Sequence, residues 1–427
     1  MPTIAVHSHV FARLAQSVAR SNGMPTARQA YVPQPVVGRS AAELRAYIEG
    51  RDPITQAPFA QELIDGLTRP LGEADLTGLS FERRTERLLS PDTSENLERR
   101  FSDERWTDYL PIVLPTEARV EAMLAGTSRD PHEIVGKLRP TVYRELWAFD
   151  VEKVAVNAVM AGAQPEYFPV ILALAASGVS ARSSSTTSQA TVALVNGPIR
   201  REIGMNAGIG AMSPYNHANA TIGRAFGLLS QNLQGGSVPE ESYMGSQGNF
   251  LSYNALIVEN EEQSPWMAFH VEHGFAAEQS TASLLLGGWY TIFGGGPRAT
   301  WEAKFTRSLQ ACDPYTGPVI ALDPIAARGF VDLGLDKAKL RAWCVEHATL
   351  PAREYWDNQW IQTLARPRAV AGLEPYASML RAAPDEPIRM FRPEDVHIVV
   401  VGGGTGAMWK MIGGGPRLAT VVIDEWR

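Results

Sequence analysis

The sequence predicts an α/β protein. Two observations carry that reading. Short apolar runs of strand length alternate with helix-length segments, and several runs end in a helix-start signal such as Asn196-Gly197-Pro198 or Asp323-Pro324. The expected architecture is a larger α/β domain with a mostly parallel sheet over residues 150–427. A small, incomplete N-terminal αβ lobe over 1–71 and a helical connecting arm over 72–149 precede it. With 427 residues, 45% of them hydrophobic, the chain holds enough apolar sequence for two or three domains.

The lobe opens on a strand at 3–6. A helix follows in which Phe11, Leu14, Ala15 and Val18 share one face at i, i+3, i+4, i+7 spacing. Gly23-Met24-Pro25 ends that helix, and Tyr31-Val32-Pro33 reads as a second strand, so the lobe resembles half of a doubly wound sheet. Residues 72–140 are more polar. Their charge runs at 82–87 and 95–104 read as solvated helix faces, and a helix is expected at 117–125. From 150 onward the pattern sharpens. Residues 154–159 (VAVNAV) read as a buried strand, 160–164 as a turn, and Pro165-Glu166 as the start of a helix over 166–177. Further strands are expected at 193–195, 255–258, 281–286, 318–322 and 396–401, with a long helix over 216–232.

Composition excludes several function classes. Charged residues make up 20% and the net charge is −7 with no long basic stripe, which argues against a disordered chain, a coiled coil or a nucleic-acid partner. Two cysteines, Cys312 and Cys344, form neither a disulfide framework nor a CxxC motif. Residues 1–11 lack the apolar stretch of a signal peptide, and the longest apolar run, 168–176, is about half a membrane span. The expectation is a cytoplasmic, soluble protein without a membrane partner.

Several motifs carry candidate chemistry. Gly402-Gly403-Gly404-Thr405-Gly406-Ala407 loosely fits a dinucleotide loop, but the 20 residues after it cannot hold the helix and second strand that such a site needs, so a Rossmann-type NAD or FAD site is rejected. Asn157, Asn196, Asn206 and Asn219 fall in or near expected strand–helix junctions, where open α/β sheets bind ligands. Each can cap a helix, and together they suggest a polar substrate site. Helix starts after Pro165 and Pro198 add N–H groups that favour an anionic substrate. The densest titratable cluster runs from Glu259 through Asn260, Glu261 and Glu262 to His270 and His273. Glu259 at a strand end suits a general acid or base, and Glu259, Glu261 and His270 also suit a carboxylate–histidine metal site, although no HExxH-like spacing backs it. The hydroxyl run at 183–188 reads as a loop. The GGGPR sequence occurs at 294–298 and again at 413–417, without the matching flanks of a repeat.

Five stretches resemble one family. VEKVAVNAVMAGAQPEYFPVILAL (151–174), VNGPIRREIGMNAG (195–208), NHANATIGRA (216–225), VENEEQSPWMAFHVEHGF (258–275) and EDVHIVVVGGG (394–404) are similar to the C-terminal region of the UGSC family of (seleno)proteins. That family is named for a selenocysteine- or cysteine-Gly-Ser-Cys motif. Residues 11–38 are similar to the second half of its N-terminal domain. The resemblance implies that Asn157, Glu166, Asn196, Asn206, Asn219, Arg224, Glu259, Asn260, Glu261 and His270 match family motifs, whereas His273 does not. The motif itself belongs upstream of the matched part, and neither Cys312 nor Cys344 precedes Gly-Ser-Cys. The expected protein is therefore an enzyme, or the substrate-binding subunit of a split one, acting on a small polar or anionic molecule by redox or carbon–heteroatom bond chemistry. A small partner subunit would carry the Cys/Sec-Gly-Ser-Cys motif within an oligomer. Glu259, Glu261 and His270 would be catalytic, and Asn157, Glu166, Asn196, Asn206, Asn219, Arg224 and Asn260 would hold substrate. Two alternatives stay open: a stand-alone metal-dependent hydrolase or lyase, and a non-catalytic scaffold subunit.

Overall fold

The computed structural model describes the chain apart from residues 1–2, 22, 37, 77–85, 138–147, 183–187, 235–238, 240–242, 244, 250–253, 288–290, 298, 315 and 415–416. Most of the charge run at 82–87 and of the hydroxyl run at 183–188 lies outside the described residues. The fold is α/β. It divides into two compact units, one of Met1–Asp92, Leu138–Trp147 and Leu233–Met244, the other of Thr93–Lys137, Ala148–Asn232 and Gly245–Arg427.

In the first unit, β1 (Ala5–Ser8) and β2 (Gln29–Val32) pair in parallel, the direction that the intervening Ala12–Ser21 helix permits. The Phe59–Thr68 helix packs on β2 around Ala30, Val32 and Phe59. Asp52 is fully buried and accepts the N–H groups of Tyr31, Ile54 and Thr55 at 2.6, 2.7 and 3.1 Å. Its carboxylate thus ties the turn after the Ala41–Glu49 helix to the strand.

The second unit begins with the Ser94–Asp103 and Glu117–Leu124 helices and the antiparallel pair β3 (Ile134–Lys137) and β4 (Ala148–Asp150). The expected strand at 154–159 is instead part of a helix, Val151–Met160. A continuous apolar run suits a helix buried on all sides as well as it suits a strand. Asp150 resolves the ambiguity by accepting the Lys153 N–H at 2.9 Å as an N-cap. The Phe168–Ala176 helix follows its proline start at Pro165 as expected.

Among the described residues, ten further strands follow: β5 (Ala190–Asn196), β6 (Leu256–Val258), β7 (Thr281–Gly287), β8 (Thr291–Gly295), β9 (Val319–Leu322), β10 (Thr349–Pro351), β11 (Pro387–Arg389), β12 (His397–Val400), β13 (Met408–Ile412) and β14 (Arg417–Val422). They form two four-stranded sheets, ordered β14-β7-β5-β6 and β12-β9-β13-β8, and a small β10-β11 pair. The sheets are mixed, not mostly parallel. Each has one parallel pair (β5-β6, β9-β12) and two antiparallel ones. Only a long crossover returns a strand in parallel, and the glycine turn after β12 leads straight into β13, which runs against β9.

The sheets meet where the Asn260 N–H donates to the Val400 carbonyl at 2.7 Å. One apolar face then runs across both, with Leu194, Ile257, Leu285, Ala321, Val399 and Val401 in a single cluster. On the opposite face of the second sheet, the Trp301–Gln310, Pro324–Asp332 and Lys337–His347 helices bury Phe305, Phe330, Leu340 and Cys344 against Ile320, Ile398 and Trp409. Gly294 is fixed by this packing, because a Cβ there would lie 2.0 Å from the Trp409 ring. Among the described residues, no helix is long and apolar enough to cross a membrane.

Candidate functional site

The carboxyl ends of the parallel neighbours β5 and β6 lie side by side, with Val195 opposite Val258. The next residues, Asn196 and Glu259, are therefore adjacent, on the face that carries Leu194 and Ile257. Both are fully buried. The Asn196 amide donates to Glu259 Oε2 at 2.5 Å and to Glu261 Oε1 at 2.9 Å. Phe269 N–H also donates to Glu259 Oε2, at 2.7 Å, and Gly197 N–H donates to Glu261 Oε1 at 2.8 Å. Gly197 has φ +87°, and a Cβ on it would sit 2.2 Å from the Gln279 carbonyl, so the turn after β5 requires glycine.

Arg200 locks the carboxylates from behind. Its guanidinium is buried and donates to the Gly197 and Glu259 carbonyls at 3.0 and 2.7 Å. It also pairs with Glu261 at 2.7 Å and with Glu262 at 3.0 Å. Glu262 is held below the ordinary carboxylate range: burial pushes it up, but the Arg200 pairing outweighs that. Glu259 goes the other way. Burial raises its carboxyl, and neighbouring Glu261 adds to the rise, while Lys337, the Phe269 N–H and the Asn196 amide only partly offset it. The Lys337 ammonium is held by Glu272 at 2.8 Å and the Met267 carbonyl at 3.2 Å, over the ring of Phe269.

His270 follows Phe269 and is fully buried, with Nδ1 3.9 Å from Glu261 Oε1. Neither of its ring nitrogens has a hydrogen-bond partner among the described residues, nor do Glu259 Oε1, Asn196 Oδ1 and Thr281 Oγ1. Thr281 stands directly across from Asn196 in the β5–β7 register and shares its face. Asn260 ties the site to the glycine turn, donating from its amide to the Gly402 carbonyl at 2.8 Å.

The structure thus brings together Asn196, Glu259, Asn260, Glu261 and His270. It places the other predicted residues in different roles. Asn206 and Asn219 bond each other: Asn219 Oδ1 accepts the Asn206 N–H at 3.0 Å, and its amide donates to the Asn206 carbonyl at 2.8 Å. They brace the 206–211 loop, whose Ala207 carbonyl accepts the Gly402 N–H at 2.9 Å. Asn157 sits inside a helix, bonded to the Lys153 carbonyl and to Asn232 at 2.8 and 2.7 Å. The Arg224 guanidinium forks onto Asp108 at 2.9 and 3.0 Å. Glu166 is exposed in the turn before the Phe168–Ala176 helix.

The N–H groups that flank Pro198, where an anion was expected, are already used, Gly197 N–H by Glu261 and Ile199 N–H by Ser280 Oγ at 3.1 Å. Among the described residues, no group of three His, Cys, Asp or Glu side chains is disposed to hold a metal ion. The reason is visible at Glu259 Oε2 and Glu261 Oε1, whose lone pairs already accept N–H donors.

Both cysteines lie in the helix-covered core of the second sheet. Cys312 donates to the Ser308 carbonyl at 3.4 Å, and burial raises the Cys344 thiol well above its usual range. Sequence reasoning missed Arg200, Thr281 and Lys337. Arg200 follows the strand-end signal and was legible in that sense, whereas Thr281 and Lys337 reach the site only through sheet register and helix packing. No family model, curated protein or solved structure matches the chain.

Proposed function

We propose that the chain is the substrate-holding part of an enzyme related to the UGSC family, acting on a small polar molecule at the carboxyl ends of β5 and β6. Glu259 is its acid/base residue. The observation that carries this reading is the state of that carboxyl group. One oxygen is fixed by two N–H donors, the other has no partner among the described residues, and burial favours the proton-bearing form. A buried acid held ready to give up a proton is the form in which a carboxyl group does acid/base work near neutral pH. Glu261 and His270 form the next stage, 3.9 Å apart, with Glu261 partly open to solvent. Asn196 and Arg200 are positioning residues that set the carboxylates.

The two cysteines support the remainder of the reading. Both are buried in another core, so neither serves as the thiol of the reaction, which we assign to a partner polypeptide. The redox or carbon–heteroatom chemistry belongs to that pair of chains.

The test incubates the protein, alone and with a short partner carrying Cys-Gly-Ser-Cys, with a mixture of small polar metabolites, followed by mass spectrometry. The expected result is a compound consumed by the wild type and untouched by Glu259→Gln. Consumption retained at full rate in Glu259→Gln, or no consumption under either condition, overturns the proposal.

A further inference from the structure

Hydrogen-bond capacity at the site is unevenly spent, and the imbalance identifies the kind of molecule it takes. The N–H donors around the two strand ends are committed to protein acceptors: the Asn196 amide to Glu259 and Glu261, Gly197 to Glu261, Ile199 to Ser280, and Phe269 to Glu259. Arg200 spends its guanidinium on Glu261, Glu262 and two carbonyls, and Lys337 spends its ammonium on Glu272 and Met267. What remains unpaired among the described residues is mainly accepting. Asn196 Oδ1 can only accept, Thr281 Oγ1 can accept, Glu259 Oε1 can accept once its proton leaves, and His270 adds two unpaired ring nitrogens. All four residues are fully buried, so each free atom carries the desolvation cost of an unmade bond. An anion brings acceptors only and would meet the oxygens of Asn196, Glu259 and Glu261.

We propose that this cluster binds the ammonium end of a small primary amine, whose three N–H groups are accepted by Asn196 Oδ1, Glu259 Oε1 and Thr281 Oγ1, with His270 beside them. This rests on Glu259 being the acid of the proposed enzyme and names the substrate class that acid serves. On binding, the cation replaces the carboxyl proton, which leaves to solvent, so an un-ionised Glu259 becomes a carboxylate paired with the ammonium. The charged groups around the exchange are Glu261 with the Arg200–Glu262 pair, and Lys337 with its partner Glu272.

Calorimetry with methylammonium chloride, sodium acetate and sodium phosphate, combined with infrared spectroscopy of the full chain, tests the assignment. Methylammonium is expected to bind and the two anions are not. The carbonyl stretch of an un-ionised carboxyl group, absent from Glu259→Gln, is expected to vanish on saturation. The nearly isosteric Thr281→Val should weaken methylammonium about tenfold or more, the loss of one hydrogen bond to a charged group. Anion binding, or no methylammonium binding, overturns the amine assignment. A band that is present but unmoved by bound methylammonium also overturns it, yet leaves Glu259 as the acid. A band absent from the free protein overturns Glu259 as the acid, whatever binds.

Discussion

Replacing Glu259 by glutamine should make the protein more stable at neutral pH and leave it nearly unchanged at pH 4. The side-chain carbonyl of the introduced glutamine occupies the place of Oε2 and keeps the bonds from Phe269 N–H (2.7 Å) and the Asn196 amide (2.5 Å). Its amide group occupies the place of Oε1, where the un-ionised acid already carries an unpaired O–H. The local cost is therefore within about 1 kcal/mol. The pH dependence follows from the raised carboxyl. Below the unfolded-state value of about 4.3, folded and unfolded wild type are both protonated and no penalty exists. Above it, the unfolded chain ionises while folded Glu259 keeps its proton. Wild-type stability then falls, relative to the variant, by about 1.4 kcal/mol per pH unit. The difference levels off once Glu259 ionises in the folded state. Urea unfolding of both proteins from pH 4 to 8, followed by tryptophan fluorescence, measures it, since every other titrating group cancels in the comparison. A flat difference, or a wild type that gains on the variant as pH rises, refutes the account of Glu259 as an acid held neutral by burial.

Other consequences are equally direct. Gly197→Ala puts a Cβ 2.2 Å from the Gln279 carbonyl at φ +87° and should cost at least about 2 kcal/mol of unfolding free energy; a melting temperature within error of the wild type would contradict that backbone reading. Arg224→Met strands the Asp108 carboxylate, whose side chain is only 6% exposed, and should cost about 3 kcal/mol near neutral pH. Asp108 lies below its ordinary value because the Arg224 fork and the Leu110 N–H outweigh burial, so that penalty should shrink as the pH of urea unfolding falls through the acid range. Cys312 and Cys344 should resist iodoacetamide in the native protein and react on unfolding, as mass spectrometry of the alkylated chain will show; rapid native labelling of either would place a thiol outside the core. Dialysis against a chelator should leave the melting curve unchanged, because N–H donors already occupy the carboxylate oxygens of Glu259 and Glu261.

Local chemistry was legible in the sequence wherever the signal was itself local. Alternating apolar runs located β5, β6, β7, β9 and β12, and the Pro165 and Asp323-Pro324 signals located helix starts, because caps and fixed φ angles act over three or four residues. The strand-end positions of Asn196 and Glu259 were legible for the same reason. Residues 154–159 were not, since an apolar run buried on every side carries no period, and only the Asp150 cap marks the helix. Sheet direction was not legible either. It depends on which strands pair, and β7 and β13 join by antiparallel pairing that no single segment encodes.

The sequence alone determined an α/β chain with an asparagine and a glutamate at the ends of two apolar strands and a histidine eleven residues beyond the glutamate. Tertiary structure decided what those residues do. Parallel pairing of β5 with β6 brings Asn196 onto Glu259, and the Arg200 fork fixes Glu261. Burial of the carboxyl group makes it favour its proton, and the Phe269 N–H and the Lys337 charge only partly offset that. Folding likewise turned Asn206, Asn219 and Arg224 into braces for neighbouring loops, because their hydrogen-bonding capacity is met at short range by Asn206, Asn219 and Asp108. A spacing in sequence cannot reveal which polar groups will be left unpaired once the others have met, and the unpaired groups define this site.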